Sequence, residues 1–230
     1  MKNTSTRPLL LALAALAGSS VIACSGGTRL GSPTDYQMWL HFEQAGRIQS
    51  AMIQGDLPTA RRAARTLAAA PAAPGIGAEG AAHVEELSKW AQTIRDAPSF
   101  GEAAEATGFM AATCGECHAT SGAGPAFRPT EPPEDRGFTG HMIRHAWAAD
   151  RMWEGLIAPS PDSWTRGASV FVEEALGHEV LTPRAEEWAE RLHALGREAV
   201  GETDRTAQAT LYGRILQQCS GCHAEVGVFQ

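Results

Sequence analysis

The chain carries one pattern twice. Residues 38–53, MWLHFEQAGRIQSAMI, set over 142–157, MIRHAWAADRMWEGLI, bring Met, His, Ala, Arg and Ile into register at a constant offset of 104. Further on, Cys114-Gly-Glu-Cys117-His118-Ala119 answers Cys219-Ser-Gly-Cys222-His223-Ala224 at an offset of 105. The two ends of each block keep their separation to within one residue, which points to internal duplication. Whatever architecture one half adopts, the other must be able to adopt too.

Local signals make that architecture helical. The residues are 43% hydrophobic and 20% charged, ordinary for a chain that buries a core. Alanine recurs in runs at 63–64, 68–70 and 103–104, and runs of β-branched residues are nearly missing. Ser32-Pro33 opens a helix that stops at Gly55, and Asp56 caps a second that runs to Pro71. Residues 71–80 form a loop, a third helix covers roughly 81–97, and Ser99 with Glu102 makes a capping box for a fourth. In the second half the breaks fall at Pro159-Ser160-Pro161, from Gly177 to Pro183, and near Gly201 to Asp204. The expectation is an all-α protein of two tandem four-helix bundles, at 35–119 and 134–230. A Pro/Gly-rich linker at 120–133 joins them.

The N-terminus reads as an address. Lys2 and Arg7 precede an apolar stretch, Leu9 to Ala17, that is too short to span a bilayer and suits the core of a signal peptide. It ends in Val21-Ile22-Ala23-Cys24, which resembles the lipobox of bacterial lipoproteins. The resemblance implies that residues 1–23 are removed and that Cys24 is acylated. Of five cysteines, four fall in the paired motifs and Cys24 is left over. Residues 24–34 then form a lipidated cysteine and a flexible tether.

Two cysteines separated by two residues and followed at once by histidine form the attachment signature of c-type haem. On a helix, positions i, i+3 and i+4 share a face, so both sulfurs reach one porphyrin edge while the histidine turns toward the iron. Cys114, Cys117, Cys219 and Cys222 are therefore the candidate attachment residues for two covalent haems, with His118 and His223 as iron ligands. A thiol-redox pair would leave both histidines unexplained. A zinc ribbon spaces its cysteine pairs by about 15–20 residues, whereas Cys117 and Cys219 are 102 apart. A disulfide across a two-residue loop is strained.

Each half, over about 35–119 and 134–224, resembles the class II c-type cytochromes, the cytochrome c prime type. In that family a single four-helix bundle carries the haem motif near the end of its last helix. Class I cytochromes resemble the chain less, because their motif lies near the N-terminus and a methionine ligand follows it. The resemblance implies that the far side of each iron faces the first helix of its bundle. There, the apolar stripes Met38, His41, Phe42, Ala45, Ile48, Met52 and Met142, His145, Ala146, Ala149, Met152, Trp153, Leu156 follow helical spacing. A lone histidine in such a stripe is ordinarily a hydrogen-bonded core residue. At matching phase in both copies, His41 and His145 become the candidate sixth ligands, with Met38 and Met142 as rivals. His83, His141, His178 and His193 lack counterparts and read as surface or core residues. Arg47 and Arg151 do match and could meet haem propionates, but they lie off the histidine face. The six tryptophans read as core and haem-packing residues.

With two protein ligands on each iron, the expected role is outer-sphere electron transfer between redox partners at the cell envelope, and not catalysis. No nucleophile–base pair or phosphate loop stands out. Loss of residues 1–23 lowers the formal charge from −7 to −9. That excludes nucleic acid and favours redox partners with basic docking faces. The membrane is reached through the lipid, and Ser25 favours the outer membrane in the sorting pattern of lipoproteins. The alternative is a gas-binding or gas-sensing protein with an open distal site; a dihaem peroxidase would need a longer chain.

Overall fold

In a computed structural model, residues 31–134, 137–172 and 181–227 are described, and they contain eight α-helices and no strand. These are α1 (Pro33–Gln54), α2 (Leu57–Ala68), α3 (Gly77–Asp96), α4 (Phe100–Ser121), α5 (Gly137–Ile157), α6 (Pro161–Val170), α7 (Pro183–Ala199) and α8 (Arg205–Val226). The segment expected to be a signal peptide, Cys24 and His178 lie outside the described residues.

Side-chain caps set most helix starts. The Ser32 hydroxyl accepts from the Asp35 N–H, Asp56 from Thr59, Ser99 from Glu102, Ser160 from Ser163, Thr182 from Ala185 and Asp204 from Ala207. Gly55, at φ 77°, closes α1 by donating to the carbonyls of Ala51 and Met52. Two boundaries differ from the sequence expectation. α2 ends at Ala68, before Pro71, and α3 starts at Gly77, inside the segment expected to be a loop. Trp39 also departs from expectation: it is 46% exposed and stacks on Tyr36, whereas Trp153 and Trp164 are buried.

Within each half, consecutive helices pack in order, α1 on α2 on α3 on α4 and α5 on α6 on α7 on α8. Substantial contacts also cross between halves. α4 lies along α8, α1 reaches α8, and α5 reaches α4, so one buried core runs through both halves. Residues 122–134 are not a loose connection. Phe127 packs against Phe42 with ring centroids 6.1 Å apart, and the Thr130 hydroxyl accepts from the Trp147 indole at 2.9 Å.

Glycine lets α4 and α8 approach so closely. A Cβ added at Gly213 would lie 2.6 Å from the Glu105 Cα and 2.9 Å from the Ala104 carbonyl oxygen. One added at Gly108 would run into the carbonyl oxygen of Ala209. Positions 104 and 108 match 209 and 213 at the offset of 105, so the crossing is made by the same Ala-x-x-x-Gly step on both helices. Gly101 faces Gln217 and Gly115 faces Arg205, a reversed order that makes the pair antiparallel. Cys219 then comes level with position 98, sixteen residues from Cys114, or about 24 Å at 1.5 Å per residue. The two cysteine motifs lie at opposite ends of the pair.

Candidate functional site

Each cysteine motif ends its half's last helix. Cys114, Cys117, Cys219 and Cys222 are half-buried and none is in a disulfide. Burial pushes the Cys114 and Cys219 thiols up to about 12, with the neighbouring cysteine adding to the effect. Cys117 and Cys222 are raised as well, by burial first and then by Glu79 and Glu225 respectively.

The motif histidines are held by the opposite half. Nδ1 of His118 lies 2.8 Å from the carbonyl oxygen of Ile157 in α5, and Nδ1 of His223 lies 2.8 Å from that of Ile53 in α1. Ile53 and Ile157 are themselves counterparts at the offset of 104. Both sit in the last turn of a helix, where carbonyls have no donor further along the helix. A carbonyl can only accept, so each histidine carries its proton on Nδ1 and its lone pair on Nε2. That tautomer presents a metal-ligating nitrogen, fixed in orientation by a partner beyond the site.

Each motif lines a cavity together with the histidine expected opposite it. The first cavity is bounded by Met38, His41 and Phe42 of α1, His83 and Leu87 of α3, Cys114, Cys117 and His118 of α4, and Ile157. The second is bounded by His141, Met142, His145 and Ala146 of α5, Trp188 and Leu192 of α7, Cys219, Cys222 and His223 of α8, and Ile53. The wall positions correspond: 38 with 142, 41 with 145, 87 with 192, 118 with 223. The volumes do not, at about 50 Å³ for the first and about 300 Å³ for the second. Phe42 lines the first cavity where the second site has the smaller Ala146.

The two distal histidines are held differently. His41 is buried, and its Nε2 lies 3.1 Å from the Pro71 carbonyl oxygen, which it meets as a donor, and 3.2 Å from the Gln37 amide nitrogen. To ligate a metal through Nε2 it must leave Pro71. His145 has a buried Nε2 with no hydrogen-bond partner. A polar atom left in that state costs about 1–3 kcal/mol, and a metal or hydrogen-bonding ligand would remove the cost. Burial lowers the pKa of both, against the Pro71 bond at His41 and aided at His145 by His141, His193 and His223, which favours neutral rings.

Met38 and Met142 also line the cavities, one turn from the histidines. Arg47 pairs with Glu43 on the surface and Arg151 with the buried Glu154, and neither arginine lines either of these two cavities. Sequence reasoning passed over three histidines. His83 lines the first cavity, and His141 and His193 crowd His145. The signal available was local: His141 is one turn before His145 on the same helix face.

Two thiols and an imidazole on one wall, an imidazole on the other and apolar residues between them are donors of the kind that hold a c-type haem, with far more room at the second site than at the first. No protein-family model matches the chain, no curated protein matches it, and no solved structure matches it.

Proposed function

We propose that the chain is a dihaem c-type cytochrome that carries electrons at the cell envelope, with each half a four-helix haem unit. The observation that carries this reading is the repeated Cys-x-x-Cys-His wall whose histidine is locked by a carbonyl of the other half, facing a second histidine across a cavity. A haem bound at each site supplies a one-electron ferric/ferrous couple. Cys114 with Cys117, and Cys219 with Cys222, would hold it covalently. The carbonyls of Ile157 and Ile53 keep the Nε2 lone pairs of His118 and His223 on the metal side and raise the basicity of these ligands. His41 and His145 would be the iron ligands from the opposite wall, which would bar exogenous ligands and favour transfer without bond changes.

The reciprocal clamp implies that neither unit is complete alone, since each motif histidine borrows its acceptor from the other half. α1 passes from His41 at the first site to Ile53 at the second, twelve residues or about 18 Å. α5 does the same in reverse. The formal charge of −9 after loss of residues 1–23 suits partners with basic docking faces, and acylation of Cys24 would keep the protein at the membrane. Among the described residues no helix is long and apolar enough to cross a bilayer.

A second reading has support at one site only. His41 already donates to Pro71, which favours an open sixth position and gas binding at the first haem. Electron paramagnetic resonance of the oxidised protein separates the two. The carrier reading expects low-spin iron at both sites, little carbon monoxide uptake on reduction, and conversion of the first haem alone by His41→Ala. A parent already high-spin at the first site would transfer that haem to the gas-binding reading.

A further inference from the structure

The two sites share a plan but differ around the distal histidine. In the first half Gln37 lies 3.2 Å from it, one turn earlier on α1, and Ser88 stands on α3. At the matching offsets of 104 and 105 the second half has His141 and His193. The correspondence is structural as well as numerical. Ser88 donates to the Ala68 carbonyl at the end of α2, and His193 Nδ1 lies 2.6 Å from the Phe171 carbonyl at the end of α6. Both positions are thus histidines in one copy of the duplication and neither is in the other.

Three imidazoles result. One ligating nitrogen from each of His141, His145 and His193 lies within 4.8 Å of the others. The His141 and His145 rings have centroids 4.0 Å apart, and those of His145 and His193 are 6.0 Å apart. Nε2 of His145 and Nε2 of His193 are buried without a hydrogen-bond partner. The Phe171 carbonyl requires the His193 proton on Nδ1 and so places the lone pair on Nε2, the tautomer a metal needs. Three neutral nitrogen donors with a fourth position open to water are a zinc-type donor set. Arg144 and Arg197 stand close enough to oppose a cation, and no carboxylate belongs to the cluster. That favours an ion with high affinity for imidazole over calcium or magnesium.

We propose that His141, His145 and His193 form a binding site for a divalent transition-metal ion of the zinc class, and that occupancy withdraws His145 from the sixth position of the second haem. Resting on the dihaem reading above, this makes the second site metal-responsive while the first, built with Gln37 and Ser88, is not. Tetrahedral ligation at about 2.0–2.1 Å requires the three nitrogens to close by a fraction of their present spread, and His145 cannot serve both ions through Nε2. No electron is exchanged, because Zn²⁺ has no accessible redox change.

The test is calorimetric and spectroscopic titration of the oxidised dihaem protein with Zn²⁺. One equivalent should bind, and one of the two low-spin resonance signals should become high-spin. His193→Asn, whose amide can still donate to the Phe171 carbonyl, should fold normally, weaken zinc binding at least tenfold and keep both signals low-spin. Zinc binding equally tight in His193→Asn overturns the site, as does absence of a stoichiometric event in the parent. Binding with both haems still low-spin overturns the withdrawal of His145. A parent whose second haem is high-spin before zinc is added counts against the bis-histidine reading instead, and the calorimetric comparison of parent and His193→Asn still decides the zinc site.

Discussion

Adding one methyl group at the α4/α8 crossing should weaken the whole protein, although the same change elsewhere on a helix strengthens it. Gly108→Ala places a Cβ inside the contact distance of the Ala209 carbonyl oxygen, and the Gly213 backbone nitrogen is 3.3 Å away. Neither neighbour is a side-chain tip that can turn aside, so the helices themselves must separate. Overpacking of this kind costs about 1–3 kcal/mol, and backbone on backbone belongs at the top of that range. Alanine is better than glycine inside a helix by about 1 kcal/mol, which leaves a net loss of about 2 kcal/mol. At about 2–4 °C per kcal/mol for a domain of this size, thermal unfolding followed by far-ultraviolet circular dichroism should shift down by about 4–8 °C. Gly46→Ala is the control, because nothing lies within 4 Å of its added Cβ. It should raise stability by about 0.5–1 kcal/mol. The Gly108→Ala, Gly213→Ala double variant should lose less than the sum, since helices already parted for one methyl have room for the next. If Gly108→Ala unfolds at or above the parent temperature, the close crossing that organises the two sites is wrong.

In protein prepared without haem, alkylation at pH 8 should label Cys117 and Cys222 well before Cys114 and Cys219. A thiol pushed up to about 12 has a thiolate fraction on the order of one in ten thousand at that pH; equal labelling rates would contradict the burial of the leading cysteines. The same haem-free protein should lose stability as pH falls below about 6.5, where unfolded histidines take up protons. His41, His145 and His193 resist protonation in the fold because burial lowers their pKa, and His141 is lowered to about 4. Asp150 and Glu154, raised by burial, oppose this at lower pH, so the comparison is between pH 7.5 and 5.5, and an unchanged melting temperature there would sink it. Cys24→Ala should move the protein from membranes to the soluble periplasm, and a variant that still fractionates with membranes would remove the anchor.

Local chemistry was legible in the sequence and long-range chemistry was not. Ser32, Asp56, Ser99, Ser160 and Asp204 mark helix starts through bonds to residues three positions on, so pattern alone places them. The cysteine motifs and the matching His41 and His145 were readable because duplication repeats them in register. The clamp from Ile157 to His118 was not, since an isoleucine contributes only its carbonyl, which any residue could supply. Nor was the α4/α8 crossing: an alanine and a glycine four apart on a helix look like weak propensity until another helix lies on them. The histidine cluster was missed for a different reason. Agreement between the halves served as the mark of function, so His141 and His193, which break the repeat, were set aside.

The central claim is covalent haem at both ends of the molecule. Intact-mass measurement of denatured protein, produced in a host with haem-attachment machinery, tests it directly. The parent should carry the mass of two haems, and Cys114→Ala/Cys117→Ala and Cys219→Ala/Cys222→Ala should each carry one. A colourless parent whose mass shows four free thiols, two disulfides or bound zinc would contradict the account.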